Sequence, residues 1–129
     1  MGLFNNIFNS KPKEAQETST PWIALENLSQ LSAIAEASKS KTQLIFKHST
    51  RCGISRMVKK QFENDYNITA NQADLYYLDL LNHRDISNEI AARFSVHHES
   101  PQLLVIKNEK VSAHASHGSI NDLDIVSFL

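Results

Sequence analysis

The chain has 129 residues, 41% of them hydrophobic and 21% charged, proportions that suit one soluble globular domain and exclude a fully disordered chain. Thirteen Lys and Arg against fourteen Asp and Glu leave a formal net charge of -1, which argues against a dominant nucleic-acid-binding surface. A single cysteine excludes an internal disulfide framework and any zinc site made of several thiolates.

No apolar run is long enough for an integral membrane span. The start of the chain lacks a basic region followed by an apolar signal core, so the expected location is cytoplasmic. Residues 1–20 read as a flexible N-terminal tail dominated by Asn, Ser, Lys, Glu, Gln and Thr. Leu3, Phe4, Ile7 and Phe8 have helical spacing there, over too short a stretch to anchor strongly. Gly2 is not followed by Ser or Thr at position 6, so the start is a poor myristoylation signal. Residues 21–129 read as one domain.

Trp22 to Leu25 reads as a short extended piece. Leu28, Leu31, Ile34 and Ala35 then recur at helical spacing and predict an amphipathic helix over about 26–39. Gln43 to Lys47 carries Leu44, Ile45 and Phe46 in a row, the pattern of a strand buried on both faces. A polar loop, His48 to Cys52, follows. Ile54, Val58, Phe62 and Tyr66 step by four and predict a second helix. Lys59-Lys60 and Glu63-Asp65 read as its solvated face.

Leu75 to Leu81 predicts another strand, and Ile86, Ile90, Ala91 and Phe94 a third helix. After the polar loop Ser95 to Pro101, strands at Gln102–Lys107 and Lys110–His114 join at Asn108-Glu109. So tight a link implies an antiparallel hairpin, since Asn tolerates positive φ. Ser119 with Asp122 reads as a cap opening a last helix to Leu129. Alternating β and α units imply parallel pairing, and the hairpin adds an antiparallel edge. The fold class is α/β, with a central mixed sheet and flanking helices.

Cys52 follows a buried strand and opens a helix. The unpaired N–H groups and positive dipole end of a first helical turn favour a thiolate over a thiol. Arg51 adds a fixed positive charge, and His48 another when protonated. Ser55 stands where the second cysteine of a Cys-x-x-Cys motif would be. A serine hydroxyl cannot form a disulfide, so a mixed disulfide on Cys52 must be resolved by a thiol from elsewhere. The Ser55 hydroxyl has the alternatives of a hydrogen bond to the thiolate and ordinary helix-start chemistry.

Pro101 precedes a strand. Spacing alone favours trans, but in a sheet of this order its loop lies beside the helix starting at Cys52. That topology argues for a cis bond, with Ser100 offering backbone groups to an extended partner. His97-His98 diverge as neighbours, and His114 and His117, three apart on a strand, point to opposite faces. No metal site is expected from them.

The segment Phe46-Lys47-His48-Ser49-Thr50-Arg51-Cys52-Gly53-Ile54-Ser55 resembles the active-site motif of the YtxJ-type monothiol bacilliredoxins. His98-Glu99-Ser100-Pro101-Gln102 and His114-Ala115-Ser116-His117 extend the resemblance, in the same order, over roughly residues 22–129. The family implies a thioredoxin-like three-layer fold and removal of bacillithiol from protein mixed disulfides. Cys52 then matches the nucleophile and Pro101 the cis-proline. Gly53 stands where the family usually has proline, and Gly118 where it often has tryptophan. Cys52-Gly53-Ile54-Ser55 is also similar to the Cys-Gly-Phe-Ser motif of monothiol glutaredoxins, some of which hold an iron–sulfur cluster between two subunits.

The leading expectation is a monothiol thiol–disulfide oxidoreductase with Cys52 catalytic. Thr50, Arg51, Gly53, Ser55, Ser100 and Pro101 bind or position the substrate. Its partners would be S-thiolated client proteins, a small thiol such as bacillithiol as co-substrate, and a free thiol or second redoxin as reductant, with no other cofactor. The alternatives are an iron–sulfur cluster carrier and a non-catalytic thioredoxin-like adaptor.

Overall fold

A computed structural model describes residues 20–129; the tail expected over residues 1–20 lies outside them except for Thr20. Five strands form one sheet in the order β1-β3-β2-β4-β5. They are β1 (Trp22–Ala24), β2 (Thr42–His48), β3 (Ala73–Asp79), β4 (Gln102–Lys107) and β5 (Lys110–Ser116). Between them run α1 (Ser29–Ala37), α2 (Gly53–Asp65) and α3 (Arg84–Phe94). The fold is α/β and thioredoxin-like, a mixed sheet flanked by helices.

β1 and β2 both pair parallel with β3. The sequence alternation extends parallel pairing through the next unit, but β4 lies against β2 in the antiparallel sense. The connection through α3 crosses β2 and returns the chain in the opposite direction. β4 and β5 then form the antiparallel hairpin. Asn108 and Glu109 turn it with φ of 51° and 67°, the left-handed pair that a tight two-residue link requires. Ser38 holds the turn: its carbonyl accepts from Asn108 N–H at 2.8 Å and its Oγ accepts from Glu109 N–H at 2.8 Å.

Strand alternation divides the core. Ile45, Leu78 and Leu104 face one side and pack with Leu31 and Ile34 of α1 and Ile86, Ile90 and Phe94 of α3. Leu44, Phe46, Leu75, Leu103 and Val105 face the other, against Val58 and Phe62 of α2. All seven β2 residues are buried, as a central strand covered on both faces must be. Among the described residues no helix is long and apolar enough to cross a membrane.

The last α-helix is a correction. Residues after β5 form two short 3-10 helices, His117–Asp122 and Ile125–Phe128, and Ser116 rather than Ser119 occupies the first N-cap position, without a side-chain cap bond. Ile120, Leu123, Ile125, Phe128 and Leu129 all pack onto the α2-side core. One straight helix could not turn that spacing onto a single face. His117 lies past β5, at φ 54°, so the opposite-face argument for His114 and His117 does not apply to it.

Candidate active site

Strand register gathers three loops at one end of the sheet. His48, the last residue of β2, pairs with Asp79, the last of β3, and Lys47 pairs with Gln102, the first of β4. The loops 49–52, 80–83 and 95–101 therefore leave the same edge.

Cys52 is the N-cap residue of α2, with φ −101° and ψ 121° and no side-chain cap bond. It is a free, half-buried thiol. Its carbonyl accepts the first helical bond from Arg56 N–H at 3.1 Å, and its own N–H donates to Ser49 O at 3.2 Å. The chain thus turns tightly from β2 into α2, with the sulfur at the turn.

Ser55 is fully buried beneath that turn. Its Oγ accepts from Ser49 N–H at 3.2 Å and lies 2.7 Å from His48 Nδ1. Among the described residues it makes no hydrogen bond to Cys52, so the thiolate contact open in the sequence reading gives way to a brace inside the loop. His48 is itself buried. Burial, with Lys59 and Arg56 adding to it against Asp79 and Glu63, pushes its pKa below the ordinary imidazole value. The shift disfavours the protonated form, the one in which His48 would add positive charge beside Cys52.

Thr50, Arg51 and Gly53 are exposed around the sulfur. The Thr50 carbonyl accepts from Arg56 Nη1 at 3.2 Å, and a Cβ on Gly53 would meet only Arg56 Nη2, at 3.8 Å. Arg56, which the sequence reading passed over, therefore leans back over the loop. Its signal was its place one helical turn after Cys52.

The Ser100–Pro101 peptide bond is cis. Pro101 is buried, and its carbonyl accepts from His117 N–H at 3.0 Å. Gln102 Nε2 donates to His97 O at 3.0 Å and ties down the loop before it. Behind this loop lies Lys47, fully buried, its Nζ without a hydrogen-bond partner among the described residues. Burial, offset in part by Glu99, lowers its pKa to about 8. Lys59 also departs from expectation. Its Nζ binds Glu63 at 2.7 Å and lies 5.1 Å from the Trp22 ring centroid, so this pair belongs to a packed face of α2.

Thr50, Arg51, Gly53 and Ser55 thus surround or brace Cys52, and Ser100 and Pro101 lie in the adjacent loop. Among the described residues no three His, Cys, Asp or Glu side chains gather as a metal site.

Comparison with known proteins agrees with this geometry. A solved chain described as an oxidoreductase candidate with a thioredoxin fold is 31% identical, with a TM-score of 0.70 over 83% of this chain and 92% of its own. The thioredoxin of Malassezia sympodialis is 17% identical, with a TM-score of 0.65 over 83% and 87%. That of Schistosoma mansoni is 20% identical, with a TM-score of 0.60 over 84% and 95%. These last two are likenesses of fold. The family model for the monothiol bacilliredoxin BrxC matches residues 23–125. With one free thiol at the helix start and serine at the resolving position, the chain belongs to the monothiol bacilliredoxin family of thioredoxin-fold thiol oxidoreductases.

Proposed function

We propose that this oxidoreductase removes bacillithiol from S-thiolated client proteins in the cytoplasm, with Cys52 as its nucleophile. The observation that carries the reading is the pairing of a half-buried free thiol at position 52 with a buried, hydrogen-bonded serine at position 55. Such a site takes a thiol from a client and holds it, because no internal sulfur displaces it. The family match supports bacillithiol as that thiol.

The Cys52 thiolate attacks the bacillithiol sulfur of the mixed disulfide. A Cys52–bacillithiol disulfide forms, the client–bacillithiol bond breaks, and the client leaves as a thiolate that takes a proton from solvent. A free thiol, or the thiol of a second redoxin, then attacks the bacillithiol sulfur on Cys52. Cys52 returns as a thiolate and the attacker carries the disulfide, so electrons balance in both steps. Ile54 and Met57, 60% and 73% exposed on α2, form an apolar rim for the client. The loop carrying Ser100 and Pro101 aligns its backbone, and the Cys52 loop with Thr50, Arg51 and Gly53 receives the sulfur.

The test is release of client thiol from a bacillithiolated client in the presence of excess bacillithiol. The wild-type protein should turn over, and Cys52→Ser should not. Retained turnover in Cys52→Ser would remove Cys52 from the mechanism.

A further inference from the structure

Next to the Cys52 turn lies an open cleft of about 420 Å³ lined by Thr50, Arg51, Leu81, Asn82 and Arg84. Its size falls within the range of small-molecule sites. Two arginines line it, Arg51 from the loop before Cys52 and Arg84 from the first residue of α3, and among the described residues no carboxylate does. Asp79, at the nearby end of β3, does not line the cleft; its Oδ2 accepts from Asn82 Nδ2 at 2.8 Å, and its Oδ1 is buried without a partner among the described residues. Asp85 follows Arg84 in the first turn of α3 without lining the cleft. Among the described residues neither Arg51 nor Arg84 forms an ion pair.

Positive charge continues from the cleft toward the Ser100–Pro101 loop. Burial is the main cause lowering the His98 pKa, and Lys47 and Arg84 are the next two. Both cations therefore act on this side of the site, with Glu99 as the opposing charge. Two guanidinium forks without an ion pair among the described residues, each shaped for bidentate pairing, suit carboxylates.

We propose that this cleft seats the carboxylates of the small thiol, and that Arg84 with Arg51 makes the protein selective for acidic low-molecular-weight thiols over neutral ones. The inference rests on the proposed transfer to Cys52. It assigns the two sides of the sulfur differently: the cap sits between the loops, and the client lies on the exposed α2 face with Ile54 and Met57. A cleft of this size between the Cys52 loop and the start of α3 suits a small molecule better than an acidic stretch of client.

The experiment uses the full chain and one client protein carrying three different caps. Bacillithiol and glutathione bear carboxylates; 2-mercaptoethanol bears no charge. The wild-type kcat/KM should be higher for both acidic caps than for 2-mercaptoethanol. Arg84→Gln should lower that ratio by about tenfold, the scale of one charge-assisted contact, mainly through KM. Arg84→Lys should recover part of it. A wild-type ratio near one, or an Arg84→Gln effect equal for all three caps, would overturn the cleft assignment while transfer through Cys52 stands. The equal effect would mean that the cleft reads the client. No transfer from any cap would sink the transfer reading and this inference together.

Discussion

The Ser55 hydroxyl lies 2.7 Å from His48 Nδ1 and accepts from Ser49 N–H at 3.2 Å, so one buried oxygen ties the end of β2 to the first turn of α2 on either side of Cys52. The position that would hold a resolving thiol in a dithiol enzyme is used here to fix the shape of the Cys52 loop. Ser55→Ala removes that oxygen and leaves two polar groups unpaired. It should cost about 1–3 kcal/mol, seen as a lower urea midpoint, and should slow turnover less than Cys52→Ser does. Wild-type stability in Ser55→Ala would mean that the brace is not used.

Restoring sulfur at that position should change the chemistry. Ser55→Cys places a second thiol three residues after Cys52, the Cys-x-x-Cys spacing. Mild oxidation should remove two free thiols per chain, counted by thiol titration. Two thiols remaining titratable after oxidation would show that the turn holds position 55 away from the sulfur.

Gly53 is the first residue of α2, and Cys52 before it is already extended, with φ −101° and ψ 121°. That is the backbone a residue preceding proline prefers, and the first helical position accepts proline without losing a helical bond. A Cβ there meets only the far end of Arg56, at 3.8 Å. Gly53→Pro should therefore stabilise the protein by about 0.4–1 kcal/mol, through a less flexible unfolded chain. Thermal unfolding checks it: a lower Tm would contradict this reading of the turn.

Lys47 gives the stability a pH signature. The folded pKa is lowered to about 8 from 10.5. From about pH 8 to 10 the unfolded chain holds a proton that the folded chain has shed, so stability should rise with pH there; above 10 the raised pKa values of Tyr66, Tyr76 and Tyr77 act the other way. Below about pH 8 the buried charge is a constant penalty. Lys47→Met should stabilise the protein at pH 7, by roughly 1–3 kcal/mol, and abolish the alkaline rise. On the acid side, burial lowers the pKa of both His48 and His98 from 6.5. Their contribution is present above 6.5 and is lost as pH falls below it. Urea melts at several pH values measure both arms, and a flat alkaline arm in the wild type would contradict the burial of Lys47.

Local pattern made most of the elements legible in the sequence. Three apolar residues in a row marked β2, and the step of four from Ile54 to Tyr66 marked α2. The grouping of Thr50, Arg51, Cys52 and Ser55 in one turn was legible because they are chain neighbours. What remained hidden depends on pairing between distant segments. Lys47 is buried because its strand is central, and Arg84 comes beside Arg51 only because β2 and β3 end in register. Ser55 kept two alternatives in the sequence, a hydrogen bond to the thiolate and ordinary helix-start chemistry, and the contact with His48 was neither, because it depends on how β2 ends against α2. The closing segment misled because Ser119 and Asp122 have cap spacing, while the apolar residues around them answer to the α2-side core.

The most direct test of transfer is the intact mass of the reduced protein after one encounter with a bacillithiolated client, with no free thiol present. The account predicts one bacillithiol adduct per chain, on Cys52, and one freed thiol on the client. Freed client without an adduct on Cys52, or an unchanged client and an unmodified protein, would contradict it.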